Sequence, residues 1–122
     1  MSPRLAVISL WAEDVPAAAR FYRDVLGLRL LPHHAGDRPH FDLDGAYLTI
    51  LGGRPQPALA AEPARFPVIA FAVDDLAAAA ARLSAAGVDL PWGQEADAGS
   101  RWVMFRDPAG NLIELVQFTR AA

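Results

Sequence analysis

Apolar runs and polar punctuation alternate along this chain, and the same order of runs occurs twice. Leu5 to Trp11 is a short apolar run with β-branched residues and predicts a strand. Glu13-Asp14 can cap a helix beginning at Val15, and Pro16 suits its first turn. Val15, Ala18, Ala19, Phe21, Tyr22, Val25 and Leu26 recur at helical spacing until Gly27 stops the helix. Leu28 to Leu31 predicts a strand and Pro32 to Asp37 a loop. His40 to Leu43 and Ala46 to Leu51 predict a hairpin around Asp44-Gly45. Pro55, Pro57, Pro63 and Pro67 exclude regular structure and mark residues 53–67 as a linker.

Then the order starts again. Val68 to Val73 predicts a strand, and Asp74-Asp75 cap a helix of Ala and Leu reaching Ala86, stopped by Gly87. Val88 to Leu90 predicts another strand and Pro91 to Ser100 a loop. Arg101 to Phe118 reads as two strands joined at Asp107-Pro108-Ala109-Gly110-Asn111, where Pro presets φ, Gly supplies positive φ, and Asp and Asn add side-chain hydrogen bonds. Each half is therefore strand, helix, then three strands, spanning 1–52 and 68–122 of one domain. The period of about 60 residues is longer than that of solenoid repeats, so the chain reads as two packed copies of one module.

Composition narrows the function. At 122 residues, 53% hydrophobic and 20% charged, the chain can bury a working core. A net charge of -3 gives no reason to expect nucleic acid or an anionic membrane as partner. All 11 basic residues are Arg, so no Schiff-base lysine is available, and zero Cys removes disulfides, thiolate nucleophiles and Cys-based metal sites. No basic-then-apolar leader and no apolar run of roughly 18 residues is present, so a cytoplasmic location is expected by default.

Three stretches resemble the vicinal oxygen chelate superfamily, which contains glyoxalase I, extradiol dioxygenases and the fosfomycin- and bleomycin-resistance proteins. Asp14 with Phe21-Tyr22 and Leu26-Gly27-Leu28 matches its first signature, and Ala72-Val73-Asp74-Asp75-Leu76 its second helix start. Phe105-Arg106-Asp107-Pro108-Ala109-Gly110-Asn111-Leu112-Ile113-Glu114-Leu115 matches its closing motif. The resemblance implies an α+β fold of two βαβββ modules in tandem, whose curved mixed sheets enclose a cavity, and a homodimer. It also implies four metal-ligand positions, which fall on Val7, Thr49, Val68 and Glu114. One carboxylate, one hydroxyl and two valines cannot hold a divalent cation, so no metal or other cofactor is expected. His33, His34 and His40 are the material for a nonstandard site. Adjacent histidines on an extended segment, however, point in opposite directions.

Glu114, among Leu112, Ile113, Leu115 and Val116, is costly to bury unless something pairs with it. It reads either as a vestigial carboxylate satisfied internally, or as a polar anchor or general base facing a ligand, with His40 as a candidate companion. Strand alternation groups Val7 with Ser9 and Trp11, Thr49 with Tyr47, Val68 with Ala70, and Glu114 with Leu112 and Val116 as the cavity lining. Ile8, Leu10, Ile69, Phe71, Ile113 and Leu115 then pack on the helices. Trp11, Trp92 and Trp102 beside one acid suit a planar or cationic small organic molecule. The expected function is a metal-free binding protein that sequesters such a ligand. The alternative is an enzyme, either a metal-free lyase or isomerase using Glu114, or a metal-dependent lyase or dioxygenase with a nonstandard site.

Overall fold

The computed structural model describes residues 5–34, 36–55 and 69–119. The chain divides into two compact units, Met1–Gln56 and Pro57–Ala122. Most of the expected linker, and Val68 with it, lies outside the described residues.

The first unit runs β1 (Val7–Ala12), α1 (Val15–Arg20), β2 (Arg29–Leu30), β3 (His40–Asp42) and β4 (Tyr47–Gly52). Asp14 caps α1 by accepting from the Ala17 N–H at 3.0 Å. Beyond Arg20 the expected single helix gives way to a π-helical turn, Phe21–Val25. There the Leu26 N–H donates to the Phe21 carbonyl at 3.2 Å, and the Leu28 N–H to that of Tyr22 at 2.9 Å. Phe21 and Tyr22, consecutive and both buried, lie edge to face with ring centroids 5.5 Å apart. The sheet order is β1-β4-β3-β2, with β1 parallel to β4 and the other pairs antiparallel. Helix α1 packs on β1 and β4, where Leu10, Leu48 and Ile50 are buried.

The second unit repeats the plan: β5 (Ile69–Ala72), α2 (Leu76–Ala85), β6 (Glu95–Ala96), β7 (Ser100–Arg106) and β8 (Leu112–Phe118), in the order β5-β8-β7-β6. Strand β5 is parallel to β8. Asp75 caps α2 through the Ala78 N–H at 3.0 Å, and the Gln117 side-chain oxygen of β8 accepts from the Leu76 N–H at 2.8 Å. Helix α2 packs on β7 and β8 over Ile113, Leu115, Val103 and Phe105, with Leu76 and Leu83 buried on its own side.

One expected strand is displaced. Val88 to Leu90 is irregular, because the Val88 N–H closes the end of α2 on the Leu83 carbonyl at 3.0 Å, and the Leu90 carbonyl accepts from Gly93 at 3.0 Å. The second strand of this unit is instead Glu95–Ala96, inside the expected loop and paired with Trp102 and Arg101. Asp97 makes that hairpin. Its Oδ1 accepts from the Gly99 N–H at 3.0 Å, the Ser100 N–H at 2.8 Å and the Ser100 hydroxyl at 2.9 Å. The Gly99 hydrogen bond, then that of the Ser100 hydroxyl, hold the Asp97 carboxyl below its ordinary range.

The β7–β8 turn is built around a buried carboxylate. Asp107, 4% exposed, accepts from the Ala109 N–H at 3.0 Å, the Asn111 N–H at 2.8 Å and the Asn111 side-chain amide at 2.9 Å. Gly110, at φ +99°, turns the chain, and its carbonyl accepts from Arg106 Nη1 at 3.0 Å. Asp107→Ala leaves three donors without their acceptor, so it is expected to cost about 2–4 kcal/mol. Asp75→Ala removes one cap and is expected to cost about 1 kcal/mol. Urea unfolding of both variants checks the ranking, and equal losses would contradict it.

Candidate functional site

Alternation gives each sheet one face for its helix and one face away from it. On the first sheet the face away from α1 carries Val7, Ser9 and Trp11 of β1, Tyr47 and Thr49 of β4, and His40 of β3. Its large side chains are open: Val7 is 47%, Trp11 47% and Tyr47 46% exposed. The register sets His40 opposite Thr49, Thr49 opposite Ser9, and Val7 opposite Tyr47. Thr49 is buried and donates its hydroxyl hydrogen to the Pro39 carbonyl at 2.9 Å. The His40 ring meets Tyr47 edge-on at 6.5 Å, and its Nδ1 lies 3.0 Å from the Arg38 carbonyl. A carbonyl only accepts, so Nδ1 carries the hydrogen and Nε2 the lone pair. Trp11 lies against Gly53, where a Cβ would stand 2.6 Å from the indole ring. Only glycine allows that approach.

On the second sheet the corresponding row is Met104, Glu114 and Ala70, directly opposite one another on β7, β8 and β5. Trp102 faces Val116 on one side and Glu95 on the other. Ala70 and Ala72 are exposed, while Leu112 and Val116 are buried. The Trp102 indole Nε1 is buried and has no hydrogen-bond partner among the described residues. Trp92 is half-buried in the turn between α2 and β6, off the strands. Glu114 is half-buried, with no hydrogen-bonding or cationic partner among the described residues. Desolvation, and secondarily the charge of Glu95, push its carboxyl above the ordinary value of 4.5.

A model of the Glyoxalase/Bleomycin resistance protein/Dioxygenase superfamily matches residues 4–115. The chain belongs to that superfamily. Its solved relatives include a lactoylglutathione lyase from Agrobacterium tumefaciens, 26% identical, covering 96% of this chain and 95% of the relative at a TM-score of 0.72. TnmS3, an antibiotic binding protein from Streptomyces sp. CB03234, is 25% identical, with coverages of 97% and 98% and a TM-score of 0.77. The oxidase ChaP-H2 is 27% identical, with coverages of 96% and 94% and a TM-score of 0.74. No curated protein matches the chain.

Membership in the superfamily raises the question of a metal, and the described donor set does not fit one. Val7 has no lone pair, and Thr49 offers only a neutral, buried hydroxyl. Val68 lies outside the described residues. Among the described residues no three His, Asp or Glu side chains form a group able to hold a metal ion. His33 and His34 line one open depression with His40, where the chain turns through Asp37, whose N–H donates to the His34 carbonyl at 3.0 Å. No helix among the described residues is long and apolar enough to cross a membrane.

Two neighbours of Glu114 were missed in the sequence. Met104 was hidden because the sequence located the β7–β8 turn without showing which residues pair across it, and Glu95 because its strand was read as loop. The Asp97-Ala98-Gly99-Ser100 turn signature was the signal for the latter.

The raised carboxyl has a consequence with a definite sign. Folded protein holds a proton on Glu114 in a pH range where the unfolded chain has released it, so stability falls as pH climbs through that range. Glu114→Gln removes the effect. The variant is expected to match the parent below pH 4.5 and to exceed it at neutral pH. Urea midpoints measured across that range check this; a variant less stable than the parent at neutral pH would contradict it.

Proposed function

We propose that this protein binds a small, mostly apolar or aromatic organic molecule on the sheet faces that its helices leave open, without a metal, and that it does so as a homodimer. The observation that carries the reading is the Trp102 indole N–H, buried on the same face as Glu114, with neither group partnered among the described residues. Leaving such a donor unmade costs about 1–3 kcal/mol, which a ligand oxygen or nitrogen would offset. A half-buried carboxylate without a cation correspondingly favours a ligand that brings an amine or hydroxyl donor. Exposed Ala70 and Ala72 leave room beside both groups, and open Trp11 and Tyr47 offer aromatic surface on the other sheet. The antibiotic-binding relative, similar over nearly its full length, supports sequestration as the purpose.

The raised carboxyl of Glu114 favours a second reading, in which it moves a proton in a lyase or isomerase reaction. The lactoylglutathione lyase and oxidase relatives keep that reading alive.

Tryptophan fluorescence against a panel of amine-bearing and neutral aromatic compounds separates the possibilities. Saturable quenching is expected with members of the panel. Glu114→Gln is expected to weaken the amine-bearing ligands by about tenfold or more and the neutral ones by less than about twofold. Turnover of a panel compound that Glu114→Gln abolishes would favour the enzyme. Stoichiometric Zn, Ni, Mn or Fe in protein purified without chelator would overturn the metal-free reading, and no quenching by any compound would overturn binding.

A further inference from the structure

The segment joining β2 to β3, together with His40 at the start of β3, holds the three histidines of the chain. We infer that it is an oxyanion site, in which Arg38, His33 and His40 bind the carboxylate or phosphate group of a small organic acid.

The segment encloses an open depression of about 560 Å³ lined by Pro32, His33, His34, Asp37, Arg38 and His40, within the roughly 300–1,000 Å³ of small-molecule sites. Its frame is tied to the sheet. The Leu31 N–H donates to the His40 carbonyl at 2.9 Å, and buried Pro39 is held by the Thr49 hydroxyl at 2.9 Å. The loop also closes on itself, since the His34 N–H donates to Asp37 Oδ2 at 3.2 Å. Asp37, whose Oδ2 takes that hydrogen bond, is the one acidic side chain in the lining.

Three other arginines of the first unit are paired with acids. Arg23 pairs with Asp24 at 2.6 Å, Arg29 with Asp42 at 3.4 Å and Arg54 with Glu13 at 2.6 Å. Arg38, exposed, has no acidic partner among the described residues. A guanidinium left open on a concave surface offers paired donors that match a carboxylate or phosphate.

The histidines are oriented as well. His33 Nδ1 lies 3.2 Å from the Leu31 carbonyl and His40 Nδ1 3.0 Å from the Arg38 carbonyl. Each backbone oxygen fixes the hydrogen on Nδ1, leaving Nε2 to take up a proton and donate to an incoming anion. Around them stand Asp37 in the loop, Tyr47 on β4, and on β3 Asp42, which is engaged by Arg29 and by the Asp44 N–H at 2.9 Å.

The test is titration of the intact protein with sodium benzoate and with sodium phosphate, read on the imidazole NMR signals of the three histidines. Saturable shifts of His33 and His40 are expected with at least one of the two anions. Arg38→Gln is expected to weaken binding about tenfold or more, and Arg54→Gln, away from the depression, by less than about twofold. Tighter phosphate than benzoate assigns the site to phosphate esters, and the reverse to carboxylic acids. Equal weakening by the two arginine variants would reduce the effect to general surface charge and overturn the site. So would still imidazole signals at about 10 mM of either anion. Glu114→Gln is expected to leave these titrations unchanged, so they stand or fall apart from ligand binding on the second sheet.

Discussion

Each module depends on a parallel pairing between its first and last strands, β1 with β4 and β5 with β8. Parallel neighbours cannot be joined by a tight hairpin; they need a crossover, and here the crossover begins with the helix. Once the helix lies on one face of the sheet, the period-2 alternation of every strand has its meaning fixed. Leu10, Leu48, Ile50, Ile113 and Leu115 are buried against helices, and Val7, Tyr47, Thr49, Ala70 and Glu114 are left on the opposite faces. The candidate site is thus whatever the core did not use.

That division explains why a carboxylate survives in the middle of β8. Glu114 stands one residue from two core side chains, Ile113 and Leu115, and a register slip of one would drive it into the helix interface. The Asp107 turn prevents the slip. Its three side-chain hydrogen bonds, with the Gly110 turn, hold β7 and β8 in the register that sets Glu114 opposite Met104. The closing motif of the family is in this sense a positioning device for the glutamate at its end.

The two sheet faces differ in chemistry although their topology is the same. The second offers a desolvated acid, an unsatisfied indole N–H and small alanines. The first offers open aromatic surface and a threonine already spent on Pro39. Beside the first, the β2–β3 segment adds imidazoles and a guanidinium with no acidic partner among the described residues.

Much of this was present in the sequence. The repeated strand–helix–strand order, the caps at Asp14 and Asp75, the closing turn and the parity of the core were all readable. They obey local rules: periodicity of apolar positions, the few side chains able to cap, and the few residues able to turn. Local rules failed where a nonlocal partner decided. Val88 to Leu90 has strand composition but spends its backbone closing α2, while Glu95–Ala96 becomes a strand because β7 lies beside it. His33 and His34 share a depression only because Asp37 folds the loop back. The sequence by itself determined which residues could be core and which could do chemistry. Only the tertiary structure decided which of the latter meet, since cross-strand register and loop closure join residues far apart in the chain, and no local pattern encodes those distances.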